Sequence, residues 1–442
     1  LSRNPGGSSA GTAVAVAANF ASLGLGTDTC GSIRVPASFN ALVGLRPSKG
    51  LSTIEGIMPL SVADDVAGPL ARSVRDLATV LDVVALSTPS DTPNAQAKKP
   101  AYVAGLKQSK LGQMRLGKLG SYFDENGQSP TNKVLDQALE TLQSRGLTLV
   151  DIDSALFDSL LAALTEAPPV ITYQKDMADY LADNPIGDYQ SVLPLEAQGL
   201  YHEFIDDWIP FKTFIQANPD AEQRYNDSRW RSLLSQAVDD VLRSHRLDAL
   251  IYPSVKFTPA KIGEAQFGHN CGLSAYSGAP ALSLPVGFTA TGLPVGLELL
   301  GAGLSDEKLV ATGYAIEQAL NARRPPANTP PLIEGRAPEP ISFTQRVGKR
   351  ADVTFTFDPT RSELHYQTRY LDESDIYAVC LHKAKRGPVI QCLSGPEGRR
   401  MEGTVSLNAA HRKALYDDAL YLRLYSPESP KGEKSIRIKL PK

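Results

Sequence analysis

The sequence predicts a mixed α/β fold, in which helices cover a largely parallel sheet, followed by a small C-terminal all-β, sandwich-like domain. Helix-like and strand-like segments alternate through most of the 442 residues, as they do in sheets covered by helices. Six prolines then fall between residues 323 and 340. Short strand-like runs recur beyond them, which is typical of a β-sandwich. We therefore expect domains at 1–324 and 341–442, with an extended linker at 325–340.

The best-defined helix of the first domain begins at Ser129 and Pro130 and ends before Gly146. Apolar residues recur between these limits at the spacing of one helix face: Val134, Leu135, Ala138, Leu139 and Leu142. LTLVDI, at residues 147–152, follows as a predicted strand.

Further elements continue this alternation. Strands are predicted at Asp248–Tyr252 and Leu293–Leu300, and Ser305 is the expected N-cap of a helix that reaches about Arg323. Residues 171–230 are expected to form helices that wall a pocket. Roles in packing and in the pocket are both open for the aromatic residues Tyr173, Tyr180, Phe204, Trp208 and Phe211.

The C-terminal domain is distinguished by its strands and its charge. Four runs read as strands: Asp352–Phe357, Ile376–Leu381, Thr404–Leu407 and Ala419–Tyr425. Residues 341–442 hold 18 Lys and Arg against 12 Asp and Glu, a net charge of +6, whereas the rest of the chain holds 27 against 36, a net charge of −9. This contrast supports a separate domain.

Composition and charge argue against several classes of protein. The net charge of −3 predicts no nucleic-acid partner. No charged residue lies between Arg3 and Asp28, but glycines and Asn19 interrupt this stretch. We therefore expect a buried helix over about 9–20 and no membrane span. The four cysteines show no CxxC spacing, and no metal or cofactor is predicted.

Two glycine-rich motifs carry serines near the start of the chain: GGSSAGT at 6–12 and GTDTCGSIR at 26–34. Glycine permits unusual backbone angles and the close approach of a ligand. The peptide groups from Thr29 to Ser32 can turn several N–H donors toward one point, as an oxyanion hole requires.

Other uses of such loops fit less well. A phosphate-binding loop needs a lysine where Gly11 runs directly into Thr12. A nucleophile elbow around Ser32 needs glycines where Cys30 and Arg34 stand. From the residues alone, two tight turns with ordinary serines remain the alternative.

The two motifs resemble the two halves of the amidase signature, the mark of enzymes that cut amide bonds with a serine, a second serine and a lysine. The separation of 24 residues between Ser8 and Ser32 matches that family without an insertion. Three further segments, 33–53, 65–78 and 277–301, resemble other blocks of the family. The resemblance covers about residues 1–335 and implies the amidase signature core.

The resemblance implies a role for each matching residue. Ser32 corresponds to the nucleophile, and Ser8, which follows a cis peptide bond in the family, corresponds to the serine that relays its proton. The implied oxyanion-hole donors are the N–H groups of Thr29, Cys30, Gly31 and Ser32, and the implied supporting residues are Gly7, Ser9, Asp28 and Arg34. Cys30 departs from the family, which more usually has glycine there, and its side chain is expected to narrow the pocket.

The third member of the family's triad is a lysine several tens of residues upstream of the second serine. No lysine precedes Ser8 in this chain, and Lys49, the first one, lies in a PSKG sequence that predicts a solvated turn residue. None of the six histidines lies near either motif, so a histidine base is not indicated. Two alternatives stay open: an N-terminal portion of the protein carries the lysine, or the chain is a fragment that cannot complete the triad.

These residues predict the hydrolysis of a small or aryl, non-peptide amide through an acyl-enzyme on Ser32. Two other classes stay open: a glutaminase-type subunit of an amidotransferase, and a non-catalytic binding protein if no lysine completes the triad. The expected partner is a small-molecule amide. A homodimer is compatible with the sequence, and the partner of the C-terminal domain is unassigned.

The stretch at 403–433 resembles the end of the CHRD domain, a β module of secreted and surface proteins. This favours a periplasmic or secreted protein over a cytoplasmic one. That family often has a histidine where this chain has Tyr425, so His382 is predicted to be a plain surface residue without a metal role.

The cysteines are expected to fall into two groups. Cys380 and Cys392 flank a predicted hairpin and can pair if the protein is exported, which leaves their state open. Cys30 and Cys271 are expected to stay free in the core.

Overall fold

The computed structural model of the chain describes residues 3–85, 101–124, 129–165, 172–185, 228–261, 264–326, 339–359, 362–371, 376–395, 400–433 and 435–441. These residues form two compact units, Ser2–Arg324 and Pro325–Lys442. Among the described residues, no helix combines the length and the apolar character that crossing a membrane requires.

The first unit contains both helices and strands. The helices described there are α1 (Ala10–Ala17), α2 (Arg34–Phe39), α3 (Val74–Val84), α4 (Tyr102–Gly105), α5 (Pro130–Ser144), α6 (Ala155–Thr165), α7 (Tyr173–Asp183), α8 (Ser228–Ser244), α9 (Gly272–Ser277) and α10 (Asp306–Leu320). The strands are β1 (Leu23–Thr27), β2 (Val43–Arg46), β3 (Ala67–Ala71), β4 (Arg115–Leu119), β5 (Thr148–Ile152), β6 (Ala249–Pro253), β7 (Ala281–Phe288) and β8 (Pro294–Leu300).

These strands form one mixed sheet in the order β1-β3-β2-β7-β8-β6-β4-β5. The predicted mixed α/β fold is confirmed, but its parallel share is smaller than expected. Among the described strands of this sheet, only β4 pairs in parallel, with β5 and β6, and the other neighbours are antiparallel. The reason lies in the connections: a short turn joins β7 to β8 and forces them antiparallel, whereas a helix, α5, carries the chain from β4 to β5.

Helix α5 shows how the local sequence sets an element. The Ser129 side chain accepts a hydrogen bond from the Thr131 N–H at 3.3 Å, and Pro130 occupies the first turn. Gly146 ends the segment at a φ of +97°. The predicted apolar face is buried: Val134, Leu135, Ala138, Leu139 and Leu142.

Other predicted elements need correction. The Ser305 side chain does not cap α10, because its hydroxyl donates to the Ala302 carbonyl at 2.7 Å. Helix α10 ends at Leu320, short of the expected limit, and α1 spans only Ala10–Ala17 because Asn19 adopts a positive φ of 64°.

The aromatic residues proposed for a pocket are only partly described. Tyr173 and Tyr180 lie on α7 and pack against its buried Met177 and Leu181, so the described contacts place them in packing. Phe204, Trp208 and Phe211 lie outside the described residues.

The second unit contains two four-stranded antiparallel sheets. Its strands are β9 (Ile341–Val347), β10 (Ala351–Asp358), β11 (Glu363–Tyr370), β12 (Ala378–His382), β13 (Val389–Cys392), β14 (Arg400–Ser406), β15 (Tyr421–Tyr425) and β16 (Ile436–Arg437). The sheets have the orders β14-β11-β10-β9 and β13-β12-β15-β16. Alternate residues of β10 are buried, which gives the sheet one apolar face: Ala351, Val353, Phe355 and Phe357.

Two expectations for this unit are wrong. It is not all-β, because a helix, α11 (Ala409–Tyr416), follows Asn408, whose side chain accepts from the His411 N–H at 2.9 Å. His382 is buried rather than a surface residue, and its ring nitrogens bond the Gly387 carbonyl at 3.0 Å and the Tyr425 hydroxyl at 2.9 Å. Cross-strand pairing of β12 and β13 brings Cys380 to Cys392, and the two form a disulfide.

Candidate active site

The first serine motif is fixed against helix α2. Gly6 has a φ of +83°, and a Cβ there would lie 2.8 Å from the backbone nitrogen of Pro36. The Gly6 N–H donates to the Asn4 side chain at 2.8 Å. A side chain at position 6 would separate this loop from α2, so glycine is required here. The Gly7–Ser8 peptide bond is cis, as the resemblance implies.

Ser9 connects the first motif to the second. Its backbone N–H donates to the Ser32 carbonyl at 3.1 Å. Its hydroxyl donates to the Thr27 carbonyl and accepts from the Thr27 N–H, both at 3.2 Å. Because Thr27 is both the last residue of β1 and part of the second motif, these bonds hold both loops at one edge of the sheet.

The two serines assigned to chemistry are differently exposed. The Ser8 side chain is exposed and Ser32 is partly buried. Within the part of the chain that the structure describes, neither hydroxyl makes a hydrogen bond, whereas that of Ser9 is engaged twice. The backbone bond between Ser9 and Ser32 brings the two motifs together, and no bond joins the Ser8 and Ser32 hydroxyls directly.

The second motif turns around the buried carboxylate of Asp28. Its Oδ1 accepts from the Gly31 N–H at 2.7 Å, and its Oδ2 accepts from the Ile33 N–H at 3.1 Å. The Gly31 N–H is therefore occupied, which contradicts its expected role as an oxyanion donor. Asp28 holds this donor strongly because its carboxylate is charged, buried and only three residues away.

Three of the four expected donors remain available. Among the described residues, none accepts a hydrogen bond from the N–H groups of Thr29, Cys30 or Ser32. Gly31 keeps a backbone role, since its φ is +89° and a Cβ would lie 3.0 Å from the Cβ of Cys271. Within these described ranges, the turn thus leaves N–H groups available on both sides of Gly31.

Arg34 and Arg46 neutralise Asp28 in the interior. Arg34 Nε lies 3.0 Å from Asp28 Oδ2, and a second guanidinium nitrogen bonds Glu298. Arg46 donates to the Asp28 carbonyl and lies 3.4 Å from its carboxylate. Burial alone would raise the pKa of Asp28, but the two arginines and the Ile33 N–H outweigh it and lower that pKa well below its usual range. Asp28 is therefore a carboxylate at neutral pH.

A second acid, Asp65, holds the other side of the loop. The Thr29 hydroxyl donates to Asp65 Oδ1 at 2.5 Å, and Asp65 Oδ2 accepts from the N–H groups of Leu60 and Ser61 at 2.8 and 3.0 Å. Burial raises the pKa of Asp65, although these hydrogen bonds oppose the rise. The Thr29 side chain is thus engaged, while its N–H is left for a ligand.

Lys49 is not a solvated turn residue as its sequence context predicted. It is partly buried, and its ammonium donates to the carbonyls of Val62 and Asp65 at 2.7 Å each. The backbone bond from the Lys49 N–H to the Gly278 carbonyl, 3.0 Å, holds its turn against the end of α9. These contacts join the Lys49 side chain to the segment that carries Val62 and Asp65.

Cys30 and Cys271 form a disulfide, with their Cα atoms 5.1 Å apart, and the expectation that both stay free is wrong. Residue 271 immediately precedes α9, and its carbonyl accepts from Arg34 at 3.3 Å. The fold brings this helix to the second motif across 241 residues of sequence. The Cys30 side chain is tied to α9, and its N–H is one of the three available donors.

Sequence reasoning missed several residues that support the site: Arg46, Asp65, Tyr252, Cys271 and Glu298. A signal existed for two of them. Arg46 and Glu298 are single charged residues in strands whose other members are all buried or nearly so. A charge is rarely placed there without a partner of opposite sign, so each predicts an internal ion pair.

Comparisons with known proteins identify the family of the chain. The family model described as Amidase matches residues 1–310, and the chain belongs to this family, the amidase signature enzymes. It is therefore a hydrolase of the class that acts on the C–N bond of amides.

Relatives within the family differ in function. The chain is 32% identical over 372 residues to a glutamyl-tRNA(Gln) amidotransferase subunit from Synechococcus sp. strain JA-2-3B'a(2-13), covering 79% of this chain and 71% of that one. It is 31% identical to the native peptide amidase of Stenotrophomonas maltophilia, with a TM-score of 0.60 over 73% of this chain and 67% of that one. The corresponding amidotransferase subunit from Thermotoga maritima, at 23% identity and a TM-score of 0.55, shares the fold over 72% of this chain and 67% of its own.

Proposed function

We propose that this protein hydrolyses a small or aryl, non-peptide carboxylic amide through an acyl-enzyme on Ser32, with Ser8 as the proton relay. The observation that carries the proposal is the loop around Ser32. Among the described residues, nothing accepts from its N–H groups at Thr29, Cys30 and Ser32 or engages the Ser32 hydroxyl, and buried charges fix its conformation. Fixed donors at a developing oxyanion are a major source of catalysis in acyl transfer.

The chemistry divides into acylation and deacylation. Ser32 Oγ attacks the amide carbonyl carbon while its proton passes to Ser8, whose own proton passes to a base, and the oxyanion accepts from the available N–H groups. The C–N bond then breaks and the amine leaves with the returning proton. Water attacks the acyl ester in the second half, releasing the carboxylic acid and restoring the Ser32 hydroxyl.

The hydrogen bonds of the two adjacent serines support Ser8 as the relay over Ser9. The Ser9 hydroxyl already serves two backbone groups of Thr27, so its loss of a proton would break a structural contact. The Ser8 hydroxyl makes no hydrogen bond to any of the described residues. The proposed base is the lysine that the resemblance implies upstream of this serine, acting as a neutral amine.

A fluorophosphonate probe on the full-length protein tests the nucleophile. We expect labelling at Ser32, identified by mass spectrometry of the modified peptide, and its loss in Ser32→Ala. Ser38, a buried serine on α2 beyond the motif, supplies the matched control Ser38→Ala, which should keep labelling. Labelling at another residue, or turnover of an amide by Ser32→Ala, would overturn the assignment.

A second candidate, a glutaminase-type subunit, is favoured by the relatives at 32% identity, which are amidotransferase subunits. Such a subunit would release ammonia from glutamine and pass it to a partner. Ammonia release that rises only on addition of transfer RNA and a partner subunit would support this function. Glutamine that gives no ammonia under those conditions, together with hydrolysis of a small amide, would exclude it.

We also propose a periplasmic or secreted location, since the chain forms two disulfides and these persist in oxidising compartments. Thiol titration of the unfolded protein, isolated with alkylating agent and without reductant, tests this. Four reactive thiols would contradict it.

A further inference from the structure

A buried cluster of four charges lies beneath the Ser32 loop. Asp28, Arg34, Arg46 and Glu298 have side chains that are at most 1% exposed. Two carboxylates face two guanidiniums, so the group is neutral when all four are ionised. Each member is costly to bury alone, and removal of one leaves an uncompensated charge.

Glu298 brings the central sheet to this cluster. It lies on β8 opposite Tyr252 of β6 and Ser283 of β7, with strands on both sides. Its Oε1 accepts from the Tyr252 hydroxyl at 3.1 Å and from Arg34. Burial raises the pKa of Tyr252 well above its usual value, which keeps this hydroxyl a donor.

Arg34 transmits this position to the Ser32 loop. Its Nη1 donates to Glu298. Its Nε and Nη2 donate to Asp28 Oδ2 and Oδ1 at 3.0 and 3.2 Å. Asp28 in turn holds the Gly31 and Ile33 N–H groups, on either side of Ser32. A continuous chain of charge-assisted hydrogen bonds therefore runs from β6 and β8 to the residues flanking the nucleophile.

We infer that Glu298 is a positioning residue for the Ser32 loop. It fixes Arg34 and, through Asp28, the N–H groups of the residues on either side of Ser32. The inference rests on the proposed function of that loop. Glu298 touches no reacting atom. Its contribution is to hold donors in the geometry of the transition state, where small displacements are expensive.

The test compares Glu298→Gln with Asp306→Asn in the full-length protein. Asp306 is also a buried carboxylate, 2% exposed, but it accepts from the Ser48 N–H and hydroxyl and has no bond to the cluster. Both variants should unfold more readily. Only Glu298→Gln should slow the modification of Ser32 by a fluorophosphonate, by up to about 100-fold in the maximal rate, with little change in the probe concentration that gives half of that rate.

Tyr252→Phe provides a second variant that removes one hydroxyl from the chain of bonds and leaves every charge in place. It should fold and show a smaller decrease in the same maximal rate, which keeps the inference testable if Glu298→Gln does not fold. Unchanged maximal rates in the folded variants would overturn the inference while leaving Ser32 as the nucleophile. Failure of the unmodified protein to label at Ser32 would overturn both the proposed function and this inference.

Discussion

The backbone N–H of Ser9 donates to the carbonyl of Ser32 at 3.1 Å, and this bond joins two motifs whose serines, Ser8 and Ser32, are 24 residues apart in the sequence. The donor lies one residue beyond Ser8 and the acceptor belongs to the proposed nucleophile. The Ser9 hydroxyl binds both backbone groups of Thr27, at the end of β1. The chemical role proposed for Ser8 and the structural contacts of Ser9 can therefore be separated by mutation.

Replacement of each serine by alanine should give opposite results. Ser8→Ala should abolish fluorophosphonate labelling and leave stability nearly unchanged, because the exposed hydroxyl makes no hydrogen bond among the described residues. Ser9→Ala should destabilise the first unit by about 1 to 3 kcal/mol, since it leaves the Thr27 N–H and carbonyl without a partner, and should retain labelling once folded. Urea unfolding and labelling rates measure the two effects, and loss of labelling in both variants at equal stability would contradict the division.

Two glycines of the first motif should tolerate alanine very differently. Gly6→Ala places a Cβ 2.8 Å from the Pro36 backbone at a φ of +83°, so we expect a loss of more than about 1 kcal/mol and of labelling. Gly11→Ala lies within α1 with nothing within 4 Å of the added atom, and should stabilise by about 0.5 to 1 kcal/mol. Thermal unfolding compares the two, and a stable, reactive Gly6→Ala would show that the loop does not need its contact with α2.

Removal of the Cys30–Cys271 disulfide should slow the labelling of Ser32 by the probe and should also lower the stability of the fold. The bond ties the second motif to α9, so Cys30→Ala/Cys271→Ala should label Ser32 more slowly and unfold with about 2 to 5 kcal/mol less stability. The matched control is Cys380→Ala/Cys392→Ala, which removes the disulfide of the second unit. That variant should keep the labelling rate, and equal slowing by both would indicate a general effect of destabilisation.

The two carboxylates of the buried cluster should make stability depend on pH in opposite ways. The arginines lower the pKa of Asp28 despite burial, so its ionised form stabilises the fold above the usual carboxyl pKa of about 3.9, and this contribution is lost as the pH falls. Burial raises the pKa of Glu298 even though Arg34 opposes the rise, so its contribution is full below about pH 4.3 and declines as the pH rises through the folded value.

Urea unfolding between pH 3 and 7, followed by tryptophan fluorescence, measures both effects, because both tryptophans precede residue 325. The stability difference between the unmodified protein and Asp28→Asn should shrink toward acid pH. The difference from Glu298→Gln should shrink toward neutral pH. The same sign of pH dependence for both variants would contradict this account of the cluster.

Much of the site was predictable from short-range sequence. Glycine at 6, 7 and 31, a serine in each motif and a fixed spacing of 24 residues carry the resemblance, and the family match over residues 1–310 confirms the family. The α5 helix followed from Ser129, Pro130 and the apolar repeat, because capping and periodicity are local properties.

Contacts over long sequence distances escaped prediction. The Cys30–Cys271 bond and the Arg34–Glu298 pair join residues 241 and 264 positions apart, and no local pattern specifies such partners. The occupied N–H of Gly31 was missed for a different reason. A carboxylate three residues earlier can face solvent or turn inward, and the arginines decide which.

The sequence by itself determined the family, the class of bond that is cut and the two serines to be tested, because glycine conformation and motif spacing are encoded within a few residues. Only the tertiary structure decided which N–H groups of the Ser32 loop are available among the described residues and that the Lys49 ammonium binds two carbonyls. It also decided that Glu298 is joined to this loop through Arg34 and Asp28. The reason is physical: charge neutralisation in a buried cluster depends on which strands and helices meet, and the mixed sheet brings together residues from opposite ends of the first unit.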